Sequence, residues 1–465
     1  MPRPMQFEIE SNSTSRSATA VVAFLFTLVL ILAATQAAQA QRFSVLYSFS
    51  GGADGGNPSM GGLTMDSAGN LYGTTYYGGY DCQQEYYATG CGTAFELSHT
   101  DAGWTFTTIY TFGVDQDDGR NPIGKLVIGT DGSLYGATYS GGIPSCSDPG
   151  TYVGCGTIYK LTPQNGGWTE TILYRFQGET DGAQPMGGLL FDRAGNIYGA
   201  TQQGGYQGSP CGGYGCGTIF ELIAGGGAWG ENVLHLFKQA DNAQGGVADG
   251  AFPNGDLAFD TAGNLYGTTV RGGADGVGSI FRLRLSGSGW TEDTIYSFNG
   301  NDAGEVPQAG LTADNTGNLY GDTYWGAYGQ VYSNGAVFEL SGLPDEPYLN
   351  VLYSGFTSGY GTSVAGPFAP VALDSDGSIF GTTWLENDSA AAGNQVGTVF
   401  RLSASGDTWN RTTLHVFSGQ ADGGHPQSTP LLTPDGRIYG TTHDGGVGIC
   451  RDQGLGCGVV WEITP

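Results

Sequence analysis

The sequence predicts an all-β protein, folded as a seven-bladed β-propeller with four antiparallel strands in each blade. Two observations lead to this prediction. A Leu-Tyr-Gly-x-Thr type of segment recurs seven times at intervals of roughly 60 residues. The last repeat unit is divided between the two ends of the chain. The seven copies are 70–75, 133–138, 196–201, 264–269, 318–323, 378–383 and 437–442.

The composition favours strands and tight turns over helices or disorder. Glycine accounts for 84 of 465 residues, without the Gly-X-Y period that would indicate collagen. Aromatic residues make up 12% of the chain, which is too many for a disordered protein. A chain rich in Gly and Tyr with almost no helical periodicity is typical of an all-β array.

Each unit contains four short strands, which we call a, b, c and d in chain order. In the first unit they are 62–66, 71–75, 92–97 and 109–112. Strand a is apolar on both faces and is therefore expected in the interior. A glycine stands inside strand b in every copy, as at Gly73, which predicts that a neighbouring ring packs over the backbone.

The turn between strands a and b carries Asp66 and Gly69. A hairpin turn with one residue at positive φ explains the glycine. The aspartate is expected to bond the local backbone. A calcium loop is the alternative, but acidic side chains do not alternate along this turn as an EF-hand requires.

The two ends of the chain are predicted to pair with each other. Residues 43–49 have the pattern of a strand d, and the chain stops after the seventh strand c at 458–463. Pairing of these segments would close the ring and remove exposed sheet edges. An open solenoid has no reason to split a unit in this way and would need capping repeats.

Residues 1–40 have the features of a secretory signal peptide, which leaves residues 41–465 as the propeller. An apolar run at 21–34 follows basic residues, and a small-x-small cleavage site ends at Ala40. An uncleaved membrane anchor is the alternative, but the run of about 14 residues is shorter than the ~20 needed to span a bilayer. We expect a secreted, periplasmic or cell-surface protein without a membrane span after cleavage.

The eight cysteines form four pairs that are close in sequence and occupy the same slot of the repeat. In a secreted chain such local pairing indicates disulfide bonds. Metal binding is the alternative, but zinc needs four clustered ligands, and these pairs lie in different repeats with His443 as the one histidine nearby. The predicted pairs are Cys82/Cys91, Cys146/Cys155, Cys211/Cys216 and Cys450/Cys457.

Charge and motif content exclude several functions. A net charge of −27 repels nucleic-acid backbones, so no nucleic-acid partner is expected. The chain has no His-Glu-x-x-His, Gly-x-Ser-x-Gly, phosphate-loop or dinucleotide motif. The sequence therefore predicts no catalytic residue, no metal and no cofactor, and we expect a monomer.

Several motifs together resemble one known repeat. They are Leu46-Tyr-Ser-Phe49, an Asp-Gly-x-x-Pro connection, Gly-Asn-Leu-Tyr-Gly-Thr-Thr and Gly-Cys-Gly-Thr-x-Phe-Glu-Leu. From Phe43 to Pro465 this combination resembles the bacterial tandem repeat named for Gloeobacter and Verrucomicrobia. The resemblance implies an exported protein, often with a C-terminal surface anchor, and no established activity. This sequence departs from that pattern because it ends at Pro465 without an anchor segment.

The candidate site lies on the face where the d-to-a and b-to-c connections emerge, because these loops are long and varied. An acidic and aromatic face suits a sugar polymer, with rings stacking on the sugars and carboxylates accepting from their hydroxyls. The alternative is that the aspartates bond turn backbone and the rings cover blade edges. The candidate binding residues are Asp54, Asp118, Asp181, Asp249, Asp422, Tyr77, Tyr139, Tyr324, Trp325, Trp384, His425, His443 and Asp444.

Blade 7 breaks the symmetry of this face. His443 and Asp444 replace an aromatic pair, and His425 lies in the preceding loop of the same blade. A His-Asp pair can serve acid–base chemistry or metal binding, and a surface pair without a task is the alternative. His235 and His415 take the tyrosine position of strand d and are expected to be structural.

The sequence therefore favours an exported binding or scaffold propeller for a glycan or a protein. The alternative is a carbohydrate-active hydrolase or lyase, which predicts an acidic pair facing the central channel with one raised pKa. A structural or adhesive surface protein is the third hypothesis.

Overall fold

The computed structural model contains seven antiparallel β-sheets, one for each repeat. It describes residues 41–79, 90–100, 103–146, 154–205, 211, 214–225, 228–238, 249–287, 289–301, 303–326, 334–356, 366–386, 396–448, 450 and 456–465. Within these ranges, Phe43–Ile463 form one compact unit. The described residues include no helix with the length and apolar character of a membrane span.

Strands are numbered in chain order and blades by the repeats. The chain begins with β1 (Arg42–Ser48). Blade 1 contains β2 (Gly56–Pro58), β3 (Thr64–Met65), β4 (Leu71–Tyr77), β5 (Thr93–Thr100) and β6 (Gly103–Thr111). Blade 2 contains β7 (Gly119–Ile128), β8 (Leu134–Gly141), β9 (Thr157–Gln164) and β10 (Gly167–Arg175). Blade 3 contains β11 (Ala183–Phe191), β12 (Ile197–Gln203), β13 (Thr218–Gly225) and β14 (Ala228–Leu236).

The remaining blades repeat this order. Blade 4 contains β15 (Ala251–Phe259), β16 (Leu265–Arg271), β17 (Ser279–Ser286) and β18 (Gly289–Ser297). Blade 5 contains β19 (Thr312–Ala313), β20 (Leu319–Thr323), β21 (Ala336–Ser341) and β22 (Tyr348–Tyr353). Blade 6 contains β23 (Ala372–Leu373), β24 (Ile379–Thr383), β25 (Thr398–Ser405) and β26 (Thr408–Val416). Blade 7 contains β27 (Leu431–Leu432), β28 (Ile438–Thr442) and β29 (Val459–Thr464).

The first strand completes the last blade, as the sequence predicts. The sheet of blade 7 has the order β1-β29-β28-β27, so β1 is its strand d. The backbone amide of Phe49 donates to the carbonyl of Gly458 at 3.1 Å. The expected pairing of the two chain ends is confirmed, and it gives blade 7 its four strands.

The repeated glycine and threonine of strand b have separate packing roles. A Cβ on Gly73 would lie 2.6 Å from Cζ of Phe95, so only glycine lets this ring cover the backbone. The hydroxyls of Thr75 and Thr93 lie 2.9 Å apart across β4 and β5. The covering rings in blades 2 to 7 are Tyr159, Phe220, Phe281, Phe338, Phe400 and Trp461.

Apolar side chains are buried between blades rather than in one centre. Seven clusters each combine residues of two adjacent blades. Between blades 1 and 2, for example, Phe112 and Ile109 pack with Leu126 and Tyr159. Each blade is thus stabilised by burial against both neighbours, the dominant favourable contribution to folding.

Loop motifs join each blade to the next. Six residues that precede the repeated proline have a left-handed backbone although they are not glycine. This conformation costs on the order of 1 kcal/mol. In return, the backbone amide donates to the carbonyl before strand c of the preceding blade, as from Asn121 to Cys91 at 2.8 Å. The six residues are Asn57, Asn121, Gln184, Phe252, Val306 and His425.

The proline that follows packs against the glycine of the Cys-Gly motif. A Cβ on Gly156 would lie 2.5 Å from Cδ of Pro185 in the next blade. Gly92 stands in the same relation to Pro122. The Asp-Gly-x-x-Pro and Cys-Gly motifs of the sequence are therefore parts of the blade junctions.

Glycines also bring the inner strands together around the axis. A Cβ on Gly61 would overlap the backbone of Gly124, and one on Gly124 would overlap that of Gly187. A cavity of about 30 Å³ remains, lined by residues from all seven blades. That volume has room for about one water molecule.

Three of the predicted disulfides lie within the described residues: Cys146–Cys155, Cys211–Cys216 and Cys450–Cys457. Cys91 is also disulfide-bonded, while Cys82 lies outside the described residues. No cysteine in the described part of the chain is free. The bonds close b-to-c loops, and the carbonyls of Cys91, Cys155, Cys216 and Cys457 each accept the junction hydrogen bond from the next blade.

Candidate functional site

The five aspartates of the Asp-Gly-x-x-Pro loops do not converge on one site. Asp181, for example, accepts from the amide of Gln177 at 2.9 Å and from the hydroxyl of Tyr174 at 2.9 Å. The other four accept from backbone amides in the same way, at Ser50, Gly113, Lys238 and Ser418 for Asp54, Asp118, Asp249 and Asp422. Each of these carboxylates holds its own loop against strand d.

A glutamate of strand d joins the aspartate at the junction of blades 1 and 2. Glu170 accepts from the hydroxyl of Tyr110 at 3.1 Å, and this hydroxyl lies 3.3 Å from Asp118. Burial raises the pKa of Glu170 to about 8, and repulsion from Asp118 adds to the effect. Two acidic groups with one phenol between them therefore share this junction.

Glu231 and Glu292 occupy the same position in blades 3 and 4. Burial is the main cause that raises the pKa of each to about 7. The sequence interpretation missed these three glutamates. The signal was a Trp-x-Glu spacing shared by three strand-d segments, at Trp168, Trp229 and Trp290.

One group of the predicted residues does converge. His425 lies in the loop that enters blade 7, and His443 and Asp444 follow β28. The amide of Gly424 donates to the carbonyl of Asp444 at 2.9 Å, and that of His443 to the carbonyl of His425 at 3.1 Å. Trp384 of blade 6 has its ring 5.2 Å from that of His425 and 6.1 Å from that of His443. We call Trp384, His425, His443 and Asp444 the mouth cluster.

Asp444 binds both imidazoles. Its two oxygens lie 3.0 Å from Nδ1 of His425 and 2.9 Å from Nδ1 of His443. Burial favours a higher pKa for Asp444, but hydrogen bonds and charge from the two histidines outweigh it and hold that pKa well below its usual range. The side chain of Asn57, from blade 1, lies 3.3 Å from the same carboxylate. An ionised carboxylate thus orients both rings.

The far side of each imidazole remains available. Nε2 of His425 and of His443 makes no hydrogen bond within the described residues. Their side chains are 17% and 21% exposed, so solvent and solutes reach them. A neutral imidazole that donates Nδ1–H to a carboxylate presents Nε2 as an acceptor or base.

Aromatic rings extend from the mouth cluster across blades 6 and 5. Phe368, which also lines the axial cavity, has its ring 5.1 Å from that of Trp384 and 5.1 Å from that of Tyr324. Tyr324 in turn lies 6.1 Å from Trp325, which is 44% exposed. We call Tyr324, Trp325 and Phe368 the aromatic arc. The sequence interpretation missed Phe368, whose position after the repeated proline carries no ring in any other blade.

Tyr77 and Tyr139 lie in blades 1 and 2 and do not belong to the mouth cluster. The hydroxyl of Tyr139 donates to Gln184 of blade 3 at 2.8 Å. Tyr77 packs edge-on against Tyr76, with ring centroids 4.8 Å apart. Tyr139 therefore helps to join two blades.

The described residues that line the axial cavity do not include the acidic pair that the hydrolase alternative requires. Asp256 is the one acidic residue among the described residues that line the axial cavity. Burial raises the pKa of Asp256, against a hydrogen bond from Gly188 and the charge of Lys125. The close pair with raised pKa values, Asp118 and Glu170, lies between two strands d instead.

These features define a seven-bladed β-propeller stapled by disulfides on its loops. Residues 143–357 match the family model of the Gloeobacter/Verrucomicrobia repeat. The resemblance seen in the sequence motifs is thereby confirmed.

Solved structures share the fold. Two are described as a new family of polysaccharide lyase, PL25 ulvan lyase, one of them bound to -[GlcA(1-4)Rha3S]-. Their TM-scores are 0.53 and 0.52 at 11% and 10% identity, and each comparison covers 90% of this chain and 95% of the other. A protein of unknown function from Dyadobacter fermentans has a TM-score of 0.45 at 11% identity, covering 92% and 99%. Such identities show the fold alone. No curated protein sequence matches this chain.

Proposed function

We propose that this protein binds a neutral extracellular glycan through the mouth cluster and the aromatic arc. The observation that carries the proposal is the placement of Trp384 beside two imidazoles that share Asp444. Apolar ring faces with a few fixed polar groups are typical of small-ligand sites. In this site the rings would stack on sugar faces, and Nε2 of each histidine would exchange hydrogen bonds with sugar hydroxyls.

Charge and compartment support a neutral ligand outside the cytoplasm. The chain carries a net charge of −27 with only 16 Lys and Arg, so an anionic polymer would be repelled at long range. The disulfides fit an oxidising compartment. Residues 1–40 would then act as the export signal and 41–465 as the exported binding module.

The test uses substitutions taken from the protein's own blades. A glycan array identifies the ligand, and calorimetry then measures its affinity for Trp384→Val, since Val270 occupies the corresponding position in blade 4. We expect affinity to fall by about tenfold, because the variant removes the ring face on which a sugar would stack, and loss of an aromatic stacking partner for a nucleic-acid base costs about 1–3 kcal/mol.

The matched control is Tyr139→Gln, which introduces the residue that blade 3 carries as Gln202. Glycan affinity should be unchanged in this variant, because Tyr139 lies outside the mouth cluster. A wild-type protein that binds no neutral glycan, or a Trp384→Val chain that binds as well as wild type, contradicts the proposal.

A second candidate function is a polysaccharide lyase or hydrolase, favoured by the two carboxylate-oriented imidazoles, whose Nε2 atoms have no hydrogen-bond partner in the described part of the chain. An imidazole held in this way can act as a general base. The test is release of reducing ends, together with the ultraviolet absorbance of the unsaturated sugar that β-elimination leaves. Products that disappear in His443→Gln would support catalysis, and binding without products supports the binding module.

A further inference from the structure

We propose that His235, Asp249 and Glu292 form a site for a divalent first-row transition metal ion at the junction of blades 3 and 4. One ligand atom of each lies within 4.8 Å of those of the other two, and all three side chains are half-buried. His235 lies on β14 of blade 3, Glu292 on β18 of blade 4, and Asp249 in the loop between the blades. The sequence predicted no metal and a structural role for His235.

The ligand atoms already converge. Nε2 of His235 lies 3.1 Å from Oδ2 of Asp249. Zinc bound at about 2.1 Å by tetrahedral ligands spaces them about 3.4 Å apart, so the histidine and the aspartate already have nearly this spacing, and the carboxylate of Glu292 lies within 4.8 Å of both. The carboxylate of Asp249 is held by the backbone amide of Lys238 at 3.1 Å. Glu292 accepts from the hydroxyl of Thr294 at 3.2 Å. Hydrogen bonds of this kind orient metal-binding carboxylates in proteins.

Among the described residues, other blade junctions do not contain the combination of side chains found at His235, Asp249 and Glu292, so it does not follow from the repeat pattern alone. Between blades 2 and 3, Tyr174 takes the place of the histidine, beside Asp181 and Glu231. At that junction the hydroxyl of Tyr174 donates a hydrogen bond to Asp181. The hydroxyl thus lies where a metal ion would bind at the junction of blades 3 and 4.

The junction of blades 6 and 7 has the histidine but lacks the second carboxylate. His415 lies 3.2 Å from Asp422, and the ring of Phe43 stacks on it at 3.7 Å where the glutamate would stand. The junction of blades 7 and 1 has one carboxylate, that of Asp54, beside the rings of Tyr47 and Phe106, and no imidazole among its described residues. Of the described junctions, only that of blades 3 and 4 combines one imidazole with two carboxylates.

The ligand set indicates the class of ion. Imidazole nitrogen favours zinc, copper, iron or nickel, whereas sites for calcium and magnesium are built from oxygen alone. Three protein ligands leave a further position to water. A bound ion would connect strand d of blade 3 to strand d of blade 4, and blades 4, 5 and 6 contain no cysteine for such a cross-link.

The experiment is calorimetric titration of the chelator-treated protein with zinc chloride. Wild type is expected to bind one zinc equivalent more than His235→Tyr, the substitution that recreates the junction of blades 2 and 3. Zinc held by His425 and His443 is common to both proteins and cancels in this difference. Equal numbers of equivalents in the two proteins overturn the proposal.

The matched control is His415→Tyr, which removes an equivalent histidine from a junction with one carboxylate. We expect it to bind as many zinc equivalents as wild type, and loss of an equivalent would count against the assignment. If His235→Tyr does not fold, Glu292→Gln decides: the amide is a poor ligand, so affinity at this site should fall by tenfold or more. An unchanged affinity would show that Glu292 binds no metal.

Discussion

Asp181 and Asp444 are both shielded carboxylates on loops of the propeller, but their partners differ. Asp181 is 7% exposed and accepts from a backbone amide and a tyrosine, as Asp54 and Asp118 do at other junctions. Asp444 accepts from two imidazoles that keep their outer nitrogens unpaired within the described chain. Backbone partners repeated around a ring indicate a structural role, whereas two imidazoles on one carboxylate, found among the described residues at Asp444 alone, indicate a site.

The largest expected effect is that of Asp181→Ala. The amide of Gln177 and the hydroxyl of Tyr174 would lose a charged acceptor that is itself buried, so we expect stability to fall by about 2 kcal/mol. Guanidinium unfolding measures the change. The comparison variant is Asp444→Ser, which copies Ser140 of blade 2 and removes the carboxylate shared by two imidazoles, so we expect a loss of stability of similar size. Unlike Asp181→Ala, it should also lower glycan affinity, and an Asp444→Ser protein that binds the glycan as well as wild type would remove the contrast between the two carboxylates.

A third kind of carboxylate has no hydrogen-bond partner among the residues that the structure describes. Both oxygens of Asp322 are buried without a hydrogen bond, and burial raises the pKa of this group well above its usual value. Four blades carry threonine at this position, and Thr268 donates there to the carbonyl of Ala309 at 2.8 Å. Asp322→Thr is therefore expected to stabilise the protein by about 1–2 kcal/mol.

This gain should depend on pH. The unfolded chain releases the Asp322 proton above about pH 3.9, whereas the folded state retains it or buries a charge. Wild-type stability therefore falls as pH rises above that value, and the advantage of Asp322→Thr grows. Asp322→Asn is the control, because it removes the ionisation but not the buried polar group. An Asp322→Thr protein that is less stable than wild type at neutral pH would contradict this interpretation.

The junction carboxyls predict a smaller effect of pH. Glu170 has its pKa raised to about 8, mainly by burial. The unfolded chain loses the Glu170 proton above about pH 4.3, whereas the folded protein keeps it up to about pH 8. The stability of the wild-type protein therefore falls as pH rises through this window. Glu170→Gln should gain at most about 1 kcal/mol near pH 8 and almost nothing near pH 4.

The control for that series is Glu346→Gln, because Glu346 is exposed. Thermal unfolding from pH 4 to pH 8 should show parallel curves for Glu346→Gln and wild type. If the stability of Glu170→Gln also changed with pH in parallel with that of wild type, the pKa of Glu170 would not be raised in the folded protein.

The smallest expected effect on stability is that of His425→Asn. Asn57 and Asn121 occupy the same left-handed position in blades 1 and 2, so asparagine fits the backbone and stability should change by less than about 0.5 kcal/mol. Glycan affinity should nevertheless fall, because one imidazole of the mouth cluster is lost. Thermal unfolding and calorimetry on the same samples separate the two effects, and a variant that loses stability without losing affinity would make His425 structural.

The sequence by itself determined the number of blades, their strand order and the closure by β1. Seven copies of one unit repeat the same local pattern, so the glycine of strand b and its covering ring could be anticipated from periodicity and side-chain size. The disulfide pairs followed from spacing within one loop. All of these features depend on residues close together in sequence or on self-similarity of the units.

Only the tertiary structure decided which side chains meet between blades. Asn57 reaches Asp444 from the other end of the chain, and Glu292 faces His235 across a junction. The burial that raises the pKa of Glu170 likewise comes from packing between blades. A single sequence records no distance between such residues, because the twist and spacing of whole sheets set those contacts.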